Sequence, residues 1–236
     1  MNLAIDIGNT RMKWALFDGD RMADHGTAEA SQLAEVCRSH AWKRGILCAT
    51  GACDLASVGC LHILSSHSHL PIALDYATPD TLGPDRIAAA CGAWHDFPGR
   101  NCMIIDAGTC ITIDFVHCTG TYRGGAIMPG LAMKFRALHT FTAKLPLLDN
   151  IDAQNAILTG RTTKESILAG VLTATRLALQ GFYNQYHKAF GDIQVLLTGG
   201  DAERLWGEGL LDIESCALHP WLVLNGLNEI LNANEE

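Results

Sequence analysis

Two short segments carry carboxylates where carboxylates are uncommon. Leu3-Ala4-Ile5-Asp6-Ile7-Gly8-Asn9-Thr10 and Met103-Ile104-Ile105-Asp106-Ala107-Gly108-Thr109 each read as an apolar strand ending in Asp, then a spacer, a Gly and a polar turn with Thr. Gly lets a backbone approach a phosphate closely and aim N–H groups at it. The Thr10 and Thr109 hydroxyls can donate to phosphate oxygens, and a carboxylate at the edge of the turn can hold Mg²⁺ or another cation against them. A single copy looks like any hairpin turn, since Asp, Asn and Gly are what turns use. Two copies in matching strand contexts point instead to a duplicated half-domain, with each Asp half-buried unless it binds something. Facing each other, such hairpins would clamp a triphosphate and its metal.

A third constellation is Leu82-Gly83-Pro84-Asp85-Arg86, a turn that opens a helix and leaves Asp85 near its first turn, where a carboxylate is favoured. One reading is a helix cap followed by a surface Arg. The other is a base and an anion receptor: Asp85 orients or deprotonates a hydroxyl, while Arg86 binds a substrate carboxylate or fixes the position of Asp85. The paired glycines of Gly124-Gly125-Ala126-Ile127-Met128-Pro129-Gly130 suggest close approach by a ligand or another backbone. No P-loop, dinucleotide-binding fingerprint, nucleophile elbow or H-E-x-x-H motif is present. His67-x-His69 lacks a third ligand at a readable spacing and reads as a solvated loop.

The elements that must position these residues follow from apolar runs and turn signals. Strands are expected at 3–7, through Trp14–Phe17, at Gly45–Thr50, Cys102–Asp106, Thr109–Val116, Thr121–Ile127 and Ile193–Leu197. Helices are expected from Ala28 to His40, Asp85 to Trp94, after Pro129-Gly130 to about His139, from Thr163 to Ala189 and from Trp221 to Leu231. Residues 51–74 are ambiguous, with short apolar pieces broken by Gly59 and a Ser/His run.

The chain has 236 residues, 48% hydrophobic and 18% charged, which excludes intrinsic disorder and allows one large domain or two small ones. Its formal charge of −8 argues against nucleic-acid binding. No apolar stretch is long enough to span a bilayer, and no secretory leader is evident at the start. The nine cysteines form no C-x-x-C pair and most sit in apolar runs, as expected of a reduced, cytoplasmic protein without a zinc site.

Together, Asp6-Ile7-Gly8-Asn9-Thr10, Gly83-Pro84-Asp85-Arg86, Asp106-Ala107-Gly108-Thr109, Gly124–Gly130, Thr142-Ala143-Lys144-Leu145-Pro146, Gly160-Arg161-Thr162-Thr163 and Thr198-Gly199-Gly200 resemble the bacterial type III pantothenate kinases in order and spacing, over essentially the whole chain. The resemblance implies an α/β fold of two ribonuclease-H-like halves, the actin/Hsp70-like ATPase duplication with a central nucleotide cleft. The halves are expected at 1–100 and 101–236, the second carrying dimerisation helices. It implies a homodimer that phosphorylates pantothenate with ATP, using Mg²⁺ and a monovalent cation, K⁺ or NH₄⁺. Carried over by position, Asp6, Ile7, Gly8, Asn9, Thr10, Arg11, Met12 and Lys13 form the first phosphate-binding segment, and Thr109 is a second ATP contact. Asp106 matches the monovalent-cation residue. Tyr76, Gly83, Pro84, Asp85, Arg86 and Thr163 match pantothenate contacts, with Asp85 as proton acceptor. Pro84, Cys110-Ile111 and Phe141 depart from the usual family residues. The alternatives are a nucleotide-binding regulatory or accessory factor on the same scaffold, or a kinase of another small alcohol.

Overall fold

The structure, a computed structural model, describes residues 1–51, 61–148, 157–207, 213 and 215–234. Cys53, Cys60 and most of the ambiguous 51–74 segment's first half lie outside the described residues.

Two sheets are built on one plan. β1 (Asn2–Ile7) forms an antiparallel hairpin with β2 (Met12–Asp18), which continues to β3 (Arg21–Ala28). After a 3₁₀ turn at Ala30–Gln32 and helix α1 (Leu33–Ser39), the chain returns as β4 (Arg44–Ala49), parallel to β1, and then β5 (His62–Ile63). The order is β3-β2-β1-β4-β5. In the second sheet β7 (Asn101–Ala107), β8 (Cys110–His117) and β9 (Thr121–Pro129) repeat the three-strand meander. β10 (Ile193–Thr198) returns parallel to β7, and β11 (Cys216–Leu218) follows beside it. With the short β6 (Ala73–Leu74) appended next to β9, the order is β11-β10-β7-β8-β9-β6. The duplication read from the two Asp-x-Gly segments is therefore a duplication of sheet topology.

The chain forms two compact units, Met1–Arg100 with Asp114–Gly124 and Trp221–Glu236, and Asn101–Ile113 with Gly125–Pro220. Sequence alone drew the division at 100/101. The first unit takes in these two later segments because α7 (Leu222–Ala233) packs on α2 (Pro84–Asp96) and β1, and because Ala73 and Asp75 donate backbone hydrogen bonds to Gly120 and Tyr122.

In the first unit Leu3, Ile5 and Ile7 alternate onto one face of β1, where they pack with Met12, Leu16, Leu33, Val36 and Leu47. The apolar face of α1 covers this cluster, each large side chain contributing about 1.5–3 kcal/mol by burial. Ala88, Ala89, Ala90, Cys91 and Ala93 of α2 are also buried, and such small residues let α7 approach closely. A Cβ on Gly226 would collide with the Ala88 carbonyl. We expect Gly226→Ala to lose about 2–4 kcal/mol, since helix backbones cannot yield as side chains do. Gly181 faces open space in helix α5 (Ala174–Phe190), so Gly181→Ala should be neutral or slightly stabilising, and paired thermal melts of the two variants check both.

In the second unit β10 is buried along its whole length, as expected of a strand between parallel neighbours. Helix α3 (Leu131–Thr140) follows β9. The single helix expected from 163 to 189 is instead α4 (Thr163–Leu168), a π-helical turn at Ala169–Thr173, and α5, closed by Gly191 at φ 78°. Its start is fixed by a reciprocal cap in which Glu165 N–H donates to Thr162 Oγ1 and Thr162 N–H to Glu165 Oε2. A short helix α6 (Ala202–Gly207) follows β10.

Candidate active site

Asp6 stands one residue before the end of β1, opposite Lys13 on β2 and Cys48 on β4. The Cys48 thiol donates to Asp6 Oδ1 at 3.2 Å. Burial lifts the Asp6 carboxyl to about 6; the Cys48 hydrogen bond opposes this, the Asp85 charge adds to it and Lys13 lowers it. Burial, with the Asp6 charge beside it, drives the Cys48 thiol well up, so it stays protonated as a donor. The turn after Asp6 is closed by Gly8 N–H donating to the Arg11 carbonyl at 3.1 Å. Thr50 and Gly51 N–H groups both donate to the Ile7 carbonyl, so the end of β4 wraps the end of β1. Any side chain at Gly51 would collide with the Gly8 carbonyl.

Along the first phosphate-binding segment, Asn9, Thr10 and Arg11 are exposed. Ile7 and Met12 are wholly buried, so their side chains belong to the core and only backbone atoms there can meet a ligand. Lys13 is carried partly aside: its Nζ lies over the Trp221 ring, 5.7 Å from the centroid.

Asp85 lies in the first turn of α2. Pro84 occupies the first helical position, where the missing N–H costs nothing, so its departure from the family residue is compatible with the helix start. Asp85 Oδ1 accepts the Arg86 N–H at 2.9 Å, and a Cβ on Gly83 would lie 2.5 Å from that oxygen, so glycine leaves room for the carboxylate. Burial raises the Asp85 carboxyl, opposed by the Arg86 N–H and augmented by the Asp114 charge. Asp6 thus feels the Asp85 charge, and burial makes both carboxyls resist ionisation.

Arg86 is a buried helix residue rather than the surface Arg of the simpler reading. Its Nε and Nη2 both donate to Asp114 Oδ1, at 2.9 and 2.6 Å. Burial works against its charge, but Asp114 outweighs it and the guanidinium is held more firmly cationic than usual, with a further bond to Tyr76. Tyr122 donates its hydroxyl to the same Oδ1 at 2.7 Å. Asp114 Oδ2 is buried without a hydrogen-bond partner, an arrangement that costs about 1–3 kcal/mol. Where sequence suggested ligand approach, Gly124 adopts φ 83° and its missing Cβ makes room for the Tyr76 ring at 3.3 Å. Tyr76 and Tyr122 rings are tilted at 6.0 Å. Sequence reading missed Asp114 and Cys48. The signal for Asp114 was a lone carboxylate in the apolar run Ile111–Val116, which demands a cation.

The second unit presents the matching hairpin. Gly108 N–H donates to the Cys110 carbonyl at 2.9 Å and Gly130 N–H to the Thr109 carbonyl at 3.1 Å, drawing the entry to α3 onto the turn. Asp106 is opposite Thr198 of β10, and Asp201 N–H donates to the Ala107 carbonyl at 2.8 Å, much as Thr50 and Gly51 cap Ile7. Gly199, at φ 97°, has backbone and the Asp106 carboxylate where a Cβ would stand. Burial raises the Asp201 carboxyl against the influence of Arg204. Thr109 is exposed in the turn, and Thr163 is exposed at the start of α4.

Each unit thus holds a glycine-lined turn beside a carboxylate, and each turn taken by itself has the backbone geometry that suits a phosphate group. Among the described residues no group of three or more His, Cys, Asp or Glu could hold a metal by itself.

Residues 48–185 match the family model for type III pantothenate kinase. The type III pantothenate kinase of Cytophaga hutchinsonii is 39% identical, over 99% of this chain and 100% of that protein. That of Bacteroides fragilis is 38% identical, over 99% and 98%. Among solved structures, one described as a Baf family transcriptional activator from Campylobacter jejuni superimposes with TM-score 0.69 at 20% identity, covering 98% of each chain. A glucokinase from an Antarctic psychrotroph gives TM-score 0.52 at 15% identity, again over 98% of each. These structural likenesses establish the fold alone, the two-sheet α/β architecture shared with those proteins.

Proposed function

Because the chain belongs to the type III pantothenate kinase family, we propose that it transfers the γ-phosphoryl group of ATP to the primary hydroxyl of pantothenate, giving 4′-phosphopantothenate for coenzyme A synthesis. The observation that carries this reading is full-length similarity to such kinases, in a chain whose motifs hold Asp6, Asp85, Arg86 and Asp106.

Mg²⁺, when bound with the nucleotide, neutralises charge developing on the phosphates. Asp6 is the residue that would hold it, and the Gly8–Arg11 turn supplies N–H donors; by its match to the family motif, Thr109 is a second ATP contact. Asp85 orients the pantothenate hydroxyl. In a loose transition state little proton transfer has occurred at attack, so its carboxylate takes the proton late. Its high proton affinity, from burial, suits that role. Tyr76 and Thr163 contact pantothenate, and Arg86 fixes Asp85 and Tyr76 rather than moving freely to a ligand. Asp106 holds the monovalent cation, K⁺ or NH₄⁺.

We assign the second unit's exposed apolar residues Ile127, Phe141, Leu158 and Leu177 to a homodimer interface, where a second copy would cover them. No helix of the described residues is long and apolar enough to cross a membrane.

The test is ADP release with ATP, Mg²⁺ and K⁺, with and without pantothenate. We expect release that depends on pantothenate and falls when K⁺ is replaced by a bulky cation. Nucleotide binding without turnover would favour the regulatory factor. Turnover with a different alcohol would favour another small-molecule kinase.

A further inference from the structure

We infer that Asp114 is a positioning residue for phosphoryl transfer: by holding the Arg86 guanidinium it keeps that charge from pairing with the adjacent Asp85 and keeps Tyr76 in place. This rests on the kinase reading above.

Asp114 is 1% exposed within the strand segment Ile113-Asp114-Phe115-Val116, whose other members are also buried. A carboxylate that serves only to anchor a buried Arg would use both oxygens in a fork. Here three donors converge on Oδ1, two from Arg86 and one from Tyr122, and Oδ2 has none. The arrangement is a poor anchor but a specific orienter: it fixes the guanidinium edge at one point.

The neighbours explain what that orientation protects. Arg86 follows Asp85 directly, and its backbone N–H already donates to Asp85 Oδ1. A guanidinium released from Asp114 has the Asp85 carboxylate beside it as an alternative partner. That pairing would occupy the lone pairs and the charge needed at the acceptor hydroxyl. The charged and titratable groups around Asp85 are Asp6 on β1, Arg86 on α2 and Asp114 on β8, with Lys13 and Cys48 acting on Asp6. Among these Arg86 is the cation adjoining Asp85, so where its side chain points matters most. Arg86 also bonds Tyr76, whose ring rests on Gly124 and tilts against Tyr122. One buried carboxylate therefore sets two proposed acceptor-site residues through a single Arg.

The orphan oxygen makes a clean experiment available. In Asp114→Asn the three donors meet an uncharged, weaker amide oxygen while the NH₂ group takes the place of Oδ2, so the shape is kept and the charge-assisted hold on Arg86 is lost. We expect kcat to fall about 10- to 50-fold with KM for ATP within about threefold, because the nucleotide turns are untouched. Arg86→Gln should lose a similar amount, and Asp114→Asn should add less than about twofold in the Arg86→Gln background. Penalties that multiply in the double variant, or an Asp114→Asn enzyme within about threefold of wild type, would overturn the proposal. Should Asp114→Asn prove too unstable to assay, the double variant, which leaves no buried charge unpaired, is compared with Arg86→Gln alone. Solvent exchange at the Arg86 Nε–H, followed by NMR, reads the same contact without turnover. It should be slow in wild type and at least about tenfold faster in Asp114→Asn, and unchanged exchange would refute the orienting role. Failure of the kinase reading would instead appear as inactive wild-type protein with that proton still protected.

Discussion

Asp85→Asn is expected to lower kcat for pantothenate phosphorylation a hundredfold or more, while the dissociation constant for Mg-ATP stays within about threefold of wild type. The local geometry makes the substitution informative. Asp85 Oδ1 accepts the Arg86 N–H, and the amide oxygen of Asn can accept it as well, so the first turn of α2 need not rearrange. What is lost is a carboxylate whose burial gives it an unusual affinity for a proton. A coupled ADP assay and a nucleotide titration on the same preparation separate the two quantities. Near-normal turnover would remove Asp85 from the chemistry. A parallel loss of nucleotide binding would mean that its charge organises the phosphate site instead.

Asp6→Asn should be both inactive and more stable. The folded carboxyl titrates at about 6 against an ordinary 3.8, so the folded state binds the proton more tightly than the unfolded chain does. Stability from this group is therefore fully present below about pH 4 and is lost as pH rises toward 6, leaving the whole cost of a buried carboxylate at pH 8. Asn removes that cost while its amide oxygen can still accept the Cys48 thiol. In metal-free, nucleotide-free protein at pH 8 we expect a melting temperature higher by about 3–6 °C, with the gain vanishing near pH 4. Mg-ATP should then raise the melting point of wild type but not of the variant, and turnover should drop by about a hundredfold or more. A variant that melts below wild type at pH 8 would show that Asp6 stabilises the fold rather than straining it. Sites that carry such a cost are where function and stability part company.

The parts of the fold that could be read in advance are those set by local rules. The apolar runs before Asp6 and Asp106, the Gly83-Pro84 helix start and the alanine-rich face of α2 each announce themselves within a few residues. β3 did not, because Arg21-Met22-Ala23-Asp24-His25 lies at the sheet's edge and buries little, so it carries no apolar run. The helix expected from Ala28 accordingly starts only at Leu33, since β3 runs through Ala28. The π-helical turn at Ala169–Thr173 also escaped notice, because it keeps the apolar pattern of a continuous helix.

At the site, residue types were legible but partnerships were not. Cys48 lies 42 positions from Asp6 and is brought to it by strand register, while Asp114 lies 28 from Arg86 and meets it only through the packing of α2 against β8. For that reason neither the carboxylate that pins Arg86 nor the Trp221 ring on which Lys13 leans could be read from the local sequence.

The docking of α7 also bears on how the polypeptide comes off the ribosome. Asn2, on β1, donates to Asn228 and Asn232, and Asn228 in turn donates to the Gly19 carbonyl. The unit that contains the earliest residues thus lacks its closing piece until more than two hundred residues have been translated. Vectorial synthesis, which lets many proteins complete their leading domain first, leaves this one waiting with an open face, and a nascent-chain chaperone would have most to shield there.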